Sequence, residues 1–297
     1  MSVLVAAALD TAVGEPRPSV HPVVWAGRYL DAAARRVPSA PPARAVAAGG
    51  AGWLAGAVAA AGLAVAVERL ARRPGGAVLR GVALWPLLSA RMLFAEVAAV
   101  EDAVRRDLDA GRSALARIVS RDTAGLTEEE VRAAAIESLA ENLSDSVVAT
   151  LVWYVAAGLP GAALHRYANT ADACWGYRTP RWEHAGRVAA RVDDLLNLMP
   201  ARLTALLLAR PTDRRVLRRE AGATESPNAG WPMAAMAVRL GVVLAKPGHY
   251  ALNAGGAAPE PHHADEALRV AQRTALVAVG LAAAADHLTR RRRGGHR

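Results

Sequence analysis

Two residue types are nearly missing from this sequence. Lys246 is the only lysine among 36 basic residues, so arginine carries almost all the positive charge, and Cys174 is the only cysteine. A single cysteine excludes a disulfide framework and a cysteine zinc cluster. The single lysine lies in LAKPGHY, which excludes a Walker A loop, because that loop needs Gly-Lys-Ser/Thr. No HExxH and no GxSxG occurs either. Any use of ATP must therefore rest on magnesium held by carboxylates and on arginine. Alternating strand patterns, fixed-period repeats and long linkers are also absent, and the proline-rich RVPSAPPAR at 36–44 reads as a short loop. The opening SVLVAAALD is apolar but short, lacks a basic start and reaches Asp10 without a small-residue cleavage site, so no signal peptide is expected. The net charge is +9, but the arginines are scattered and not interleaved with aromatics, which argues against nucleic acid as a partner.

What the chain has in quantity is apolar sequence. Hydrophobic residues make up 53% of 297, and mean hydropathy is +0.14. Residues 45–67, AVAAGGAGWLAGAVAAAGLAVAV, carry no charge, and about 20 such residues cross a bilayer. Arginines flank the run on both sides, so it has no preferred orientation. Gly52 and Gly56 have the small-xxx-small spacing that lets another helix approach closely. Residues 147–164 are also uncharged, with Pro160 placed to kink or end the helix. Three shorter runs, 195–209, 231–245 and 274–285, fit spanning, re-entrant or buried helices. The RRRR at 290–293 favours a cytoplasmic C-terminus. Between 85 and 146 the pattern differs: EVAAVEDAVRRDLDAGRSALARIVS, residues 96–120, has charges on most turns and predicts a solvated amphipathic helix broken near Gly111. Thr127 and Glu130 form a capping box and predict a helix start there. The expectation is an all-α, multi-pass membrane helical bundle with amphipathic cytosol-facing helices, built as one domain over 1–297.

Polar clusters sit at the ends of these runs. Glu137, Glu141 and Asp145 are spaced i, i+4, i+8, along one helix face with Asn142 beside them. If buried, they need magnesium or an arginine to neutralise them. Arg191, Asp193, Asp194, Asn197 and Arg202 form a second cluster, in which Asp193 and Asn197 share a face. The stretch NTADACWGYR contributes Asn169, Asp172, Tyr177 and Arg178, with Trp175 and Tyr177 as stacking surfaces. SPNAGWP contributes Ser226 and Asn228 in a turn before an apolar run. Near the start, Asp10, Glu15 and His21 are expected in a stiff loop rich in Gly and Pro, and His262 and His263 in an exposed loop.

Five stretches carry a resemblance: DTAVGEPRPSVHPVVWAGR, ESLAENLSDSVVATLVWY, YANTADACWGYR, GRVAARVDDLLNLMPARLTALL and SPNAGWPMAAMA. In this order they resemble the CbiB/CobD family of cobalamin biosynthesis, the membrane-bound adenosylcobinamide-phosphate synthases. The resemblance implies an ATP-consuming ligase that joins (R)-1-aminopropan-2-yl phosphate, an amino-alcohol phosphate, to a propionate of the corrinoid adenosylcobyric acid. It implies a multi-pass cell-membrane protein with its site on the cytoplasmic side, and a homo-oligomer is compatible with it. On this reading ATP and Mg2+ are the cosubstrate and metal, with Glu141, Asp145 or Asp194 as metal ligands. The catalytic set is Glu137, Glu141, Asp145, Arg191, Asp193, Asp194 and Arg202. Asp10, Glu15, His21, Asn142, Asn169, Asp172, Tyr177, Arg178, Asn197, Ser226 and Asn228 bind substrate. Arg178, Arg191 and Arg202 suit phosphates, and one acid or His21 serves as general base. The alternative is a non-catalytic membrane sensor or transporter of related fold.

Overall fold

The computed structural model describes residues 1–294. Its helices are α1 (Ser2–Val13), α2 (Pro22–Ala34), α3 (Pro42–Leu70), α4 (Gly76–Leu84), α5 (Ala90–Val104) and α6 (Leu108–Leu115), followed by α7 (Glu128–Asn142) and α8 (Ala149–Trp175). After these come α9 (Arg187–Leu208), α10 (Arg214–Ala221), α11 (Gly230–Leu240) and α12 (Pro261–Gly294). Two short strands, β1 (Leu244–Lys246) and β2 (Tyr250–Leu252), pair antiparallel. The all-α expectation holds. Among the described residues four helical stretches are long and apolar enough to cross a membrane: Pro42–Leu70, Gly76–Val104, Glu128–Trp175 and Pro261–Arg290. Side chains of the arginine run beyond Arg290 lie outside the description.

The chain falls into two compact units, each assembled from separated stretches. The first holds 1–89, 149–197 and the end of α12 from 279. Its core joins α2, α3, α8 and the start of α9 through Leu30, Trp53, Ala57, Tyr167, Trp175 and Ala189. Alanine and glycine make this packing close. A Cβ on Gly49 would lie 2.0 Å from the Ala185 carbonyl oxygen, and one on Gly56 would lie 2.1 Å from the Tyr167 hydroxyl. Gly52, by contrast, meets Trp175 at an ordinary 3.4 Å. So the close approach expected at the Gly52–Gly56 pair occurs at Gly56 and, one turn away from Gly52, at Gly49. The kink expected near Pro160 sits two residues earlier, at Gly158, which has φ 70° and ψ −159°. There the freed Leu159 N–H donates to Glu68 Oε2 at 3.4 Å, and Glu68 also pairs with Arg80 and Arg290.

The second unit holds 90–148 and 198–278. The capping box is present at the start of α7. Every residue of α7 from Val131 to Ala140 is buried, including Arg132 and Glu137, so this helix is internal. Its charges are paired. Arg132 donates to Glu101 at 2.9 Å, with both side chains 5% exposed, and Glu137 pairs with Arg121. The α5–α6 break falls at 105–107, not at Gly111. Asp107 caps α6 by accepting from Ala110 N, while Gly111 lies inside α6 because a Cβ there would meet Val104 at 2.4 Å. A π-helical turn over Leu143–Val148 follows α7. It breaks the α-helical register, so Asp145 does not continue the Glu137–Glu141 stripe.

The apolar run at 231–245 is not one helix. It ends at Gly241, a left-handed cap with φ 73°, and the chain then turns extended into the β1–β2 hairpin around Pro247 and Gly248. Asp10 lies in α1 and is buried, not in a loop. His262 and His263 open α12, because Pro261 suits a first helical position.

Two outcomes follow. The four apolar stretches predict that the chain stays with carbonate-washed membranes and needs detergent for extraction. Recovery of dispersed monomer without detergent would contradict this. Glu101→Leu should lower stability by about 3 kcal/mol, because it strips the buried Arg132 of its inner partner. Thermal unfolding in detergent measures it, and an unchanged midpoint would show that the pair is not buried.

Candidate functional site

In the first unit, the polar cluster forms where the end of α8 faces the start of α9. His165, Asn169 and Asp172 recur at i, i+4 and i+7 and make one stripe of α8. Asp193 and Asn197 make the matching stripe of α9. Asn197 is 1% exposed and links the two helices. Its Nδ2 donates to Asp193 Oδ1 at 3.0 Å, and its Oδ1 stands 2.9 Å from His165 Nε2. With the amide nitrogen given to a carboxylate, the amide oxygen must accept, so His165 carries its proton on Nε2. His165 Nδ1 is buried without a partner.

Asp193 is 9% exposed. Burial, then the neighbouring charge of Asp172, pushes its carboxyl up to about 7, against hydrogen bonds from Asn197 and Asn169 and with a further push from Asp194. Burial also raises Asp194, while Arg191 and Arg178 act the other way. The Arg191–Asp194 pair is 3.8 Å long and its arginine side chain is 79% exposed. Among the described residues neither Asp172 nor Asp193 has an ion-pair partner. Asp172 is overhung by the turn after α8, where a Cβ on Gly176 would lie 1.9 Å from its carboxylate oxygen. Trp175 is 1% exposed and stacks on Trp182 with centroids 5.3 Å apart. It is a core residue and presents no surface to a ligand, contrary to expectation, whereas Tyr177 is 48% exposed.

The N-terminal group divides. His21 caps α2, its Nδ1 accepting from Val23 N at 3.2 Å, and its Nε2 lies 2.5 Å from Glu15. Its lone pair is therefore engaged by backbone, which weakens its case as a base.

In the second unit, Glu137, Glu141, Asn142 and Ser226 line one polar cavity of about 380 Å³, with Lys246 and His249 from the hairpin. Arg121 pairs with Glu137 there. Arg202 is engaged elsewhere in this unit. It donates to Leu198 O, Pro227 O and Asn228 Oδ1 and lies over Trp231, so it clamps the SPNAGWP turn. Ser226 Oγ accepts from Asn228 N and Ala229 N, as that turn requires.

No group of three or more His, Cys, Asp or Glu among the described residues is arranged to hold a metal ion. Magnesium asks for less, because one or two carboxylates suffice when phosphates and water complete the shell. The carboxylate oxygens of Asp193 and Asp194 are hard donors of that kind, and their crowded negative charge favours a cation.

Comparison with protein families matches residues 3–279 to the family described as CobD/Cbib protein. The chain belongs to the CobD/Cbib family. It is 46% identical over 204 residues to the "Cobalamin biosynthesis protein CobD" of Rhodobacter capsulatus, a match covering 64% of either chain. It is 42% identical over 288 residues to the protein of that name from Stutzerimonas stutzeri, covering 90% of this chain and 91% of the relative. Over 276 residues it is 37% identical to the "Probable cobalamin biosynthesis protein CobD" of Pyrococcus furiosus, covering 91% and 93%. No solved structure matches.

Sequence reasoning missed two parts of this CobD/Cbib-family chain. His165 was visible as the head of the His165–Asn169–Asp172 stripe, but an apolar surround makes a histidine look like core. Lys246 and Tyr250 reach their cavity through a hairpin that the apolar run concealed.

Asn197→Ala should lower stability by about 1–3 kcal/mol, since it leaves buried polar groups on both helices without a partner. Thermal unfolding in detergent measures this, and no change would mean that the link between α8 and α9 carries no energy.

Proposed function

We propose that this chain acts in cobalamin biosynthesis as an ATP-dependent amide ligase. It joins (R)-1-aminopropan-2-yl phosphate to a propionate carboxylate of adenosylcobyric acid, in the cell membrane and from the cytoplasmic side. Membership of the family over 3–279 supports the pathway. The observation that carries the reaction is the carboxylate group of Asp172, Asp193 and Asp194, of which Asp172 and Asp193 have no ion-pair partner among the described residues, set beside the amides of Asn169 and Asn197.

The chemistry needs such a site. A carboxylate is a poor electrophile. Transfer of the γ-phosphoryl group of ATP to it makes an acyl phosphate and releases ADP. The amine then attacks the acyl carbon, forms the amide and expels phosphate. Magnesium, when bound, neutralises the charge of the ATP phosphates. Asp194, with Asp193 beside it, would hold the metal, and Asn197 fixes Asp193 in place. Arg178 and Arg191 would receive the phosphates. The amine sheds a proton before attack, a step for a carboxylate of this cluster.

The assay supplies adenosylcobyric acid, aminopropanol phosphate and ATP–magnesium to detergent-extracted protein and detects product by mass spectrometry. Asp194→Asn keeps the shape and removes the charge, and should cost about 100-fold or more in rate. Asp109→Asn is the control, because Asp109 is 82% exposed on α6 and, among the described residues, pairs with Arg112 alone. It should be near neutral. Equal losses in both variants, or full activity in Asp194→Asn, would remove Asp194 from the site. Full turnover in excess chelator would remove the metal.

A further inference from the structure

The first unit also holds a largely apolar cavity of about 430 Å³ between α2, α3 and the second half of α8. Helix α3 lines it with Gly56, Ala59, Ala60, Leu63, Ala64 and Val67. These recur at i, i+3, i+4, i+7, i+8 and i+11, so they form one stripe about 16 Å long. Small residues hollow the stripe, and Leu63 is exposed on it. The stripe lies in the uncharged run 45–67 of a helix long and apolar enough to cross a membrane. The cavity is thus a groove along a candidate membrane span, where acyl chains are the surrounding medium.

Its two ends differ. At the Val67 end the wall includes Leu159, whose N–H reaches Glu68, the next residue of α3. At the Gly56 end stand Trp25, Tyr29 and Tyr167, aromatics with polar tips. Such residues mark the headgroup level of a bilayer. Most polar groups of this lining are engaged within the chain. Tyr29 Oη donates to Gly52 O at 2.8 Å, Trp25 Nε1 to Ser19 O at 2.9 Å and Thr170 Oγ1 to Arg166 O at 2.7 Å. Arg166 donates to Asn169 Oδ1 and Ser89 Oγ. The Tyr167 hydroxyl is not engaged in this way. Tyr167 is 4% exposed, and its Oη is buried with no hydrogen-bond partner.

A buried hydroxyl without an acceptor is costly. The groove therefore asks for one acceptor oxygen at its aromatic end and for an apolar body along the rest. An acyl ester has that form. The mouth adds charge. Val20 lines the cavity and donates its N–H to Arg17 O at 3.0 Å. Arg17 is exposed and, among the described residues, in no ion pair, while the nearby Glu15 is taken by His21. A cation at headgroup level favours an anionic lipid.

We infer that this groove holds one anionic glycerophospholipid. An acyl chain lies along the α3 stripe, its ester carbonyl accepts from the Tyr167 hydroxyl, and its headgroup sits toward Arg17. The site is separate from the chemistry proposed above and does not depend on it.

The test is native mass spectrometry and thermal unfolding of the full chain, purified in detergent, freed of lipid and titrated with phosphatidylglycerol or phosphatidylcholine. Wild type should retain one phosphatidylglycerol, in preference to phosphatidylcholine, and should unfold at a higher temperature in its presence, because a ligand of the folded state stabilises it. Ala60→Phe fills the middle of the groove and should abolish both effects. Tyr167→Phe deletes only the hydroxyl and should weaken retention about fivefold, the scale of one neutral hydrogen bond. In the lipid-free chain the same variant should leave the unfolding temperature unchanged or raised, because there the hydroxyl has no partner to lose. This pair of readouts serves if Ala60→Phe fails to fold. A Tyr167→Phe chain or a folded Ala60→Phe chain that retains phosphatidylglycerol like wild type overturns the inference. So does a wild type that retains both lipids equally, or one that forms a dimer in detergent which phosphatidylglycerol does not dissociate, since a second copy would then cover the groove.

Discussion

A carboxylate enclosed by apolar helices must find a cation, a set of N–H donors or a proton, because an isolated buried charge is far costlier than any packing can offset. Each buried acid of this chain answers that constraint in its own way. Glu101 takes Arg132 and Arg105, Glu137 takes Arg121, and Asp286 takes Arg290. These are the joints of a bundle whose apolar residues are mostly small. Asp193 and Asp172 are different. Asp193 is met by amides and by other acids, and among the described residues neither has a cation. A chain so rich in arginine had every means to pair them, so the exception marks the place where a ligand's charge is expected.

Much of this was legible in the residues because it depends on local spacing. The uncharged 45–67 run lies inside α3, the Thr127–Glu130 box starts α7, and the i, i+4 relation of Asp193 and Asn197 is a hydrogen bond. What was not legible depends on register or on partners distant in sequence. The π-helical turn after α7 has no residue signature in LSDSVV, yet it decides that Asp145 leaves the stripe of Glu137 and Glu141. The hairpin was hidden because Val242, Val243 and Leu244 prolong an apolar run, and only the left-handed Gly241 and the Pro-Gly pair separate strand from helix. Trp175 was read as a ligand platform because an aromatic in a polar motif looks exposed. Its stacking on Trp182, seven residues on, follows from how the turn closes.

Small residues set the distances at which all of this operates. Helix α3 meets the turn before α9 at Ala185 and the side chain of Tyr167 across Gly49 and Gly56, where no Cβ fits. Such contacts need no large hydrophobic side chains, which accords with a sequence of abundant alanine and little aromatic content. They also leave little room for adjustment. The two helices that carry the His165 and Asp193 stripes are held in register by glycine on one side and by a single asparagine on the other.

The break at Gly158 divides α8 into two half-helices. A new helix start exposes N–H groups and the positive end of a dipole. Here the freed N–H of Leu159 is met by Glu68, which belongs to α3, ninety-one residues earlier. The half-helix that bears the His165 stripe is thus capped by another helix and not by its own flanking residues. Glu68 precedes in the chain the segment that needs it, and Arg290, near the far end of α12, pairs with the same carboxylate.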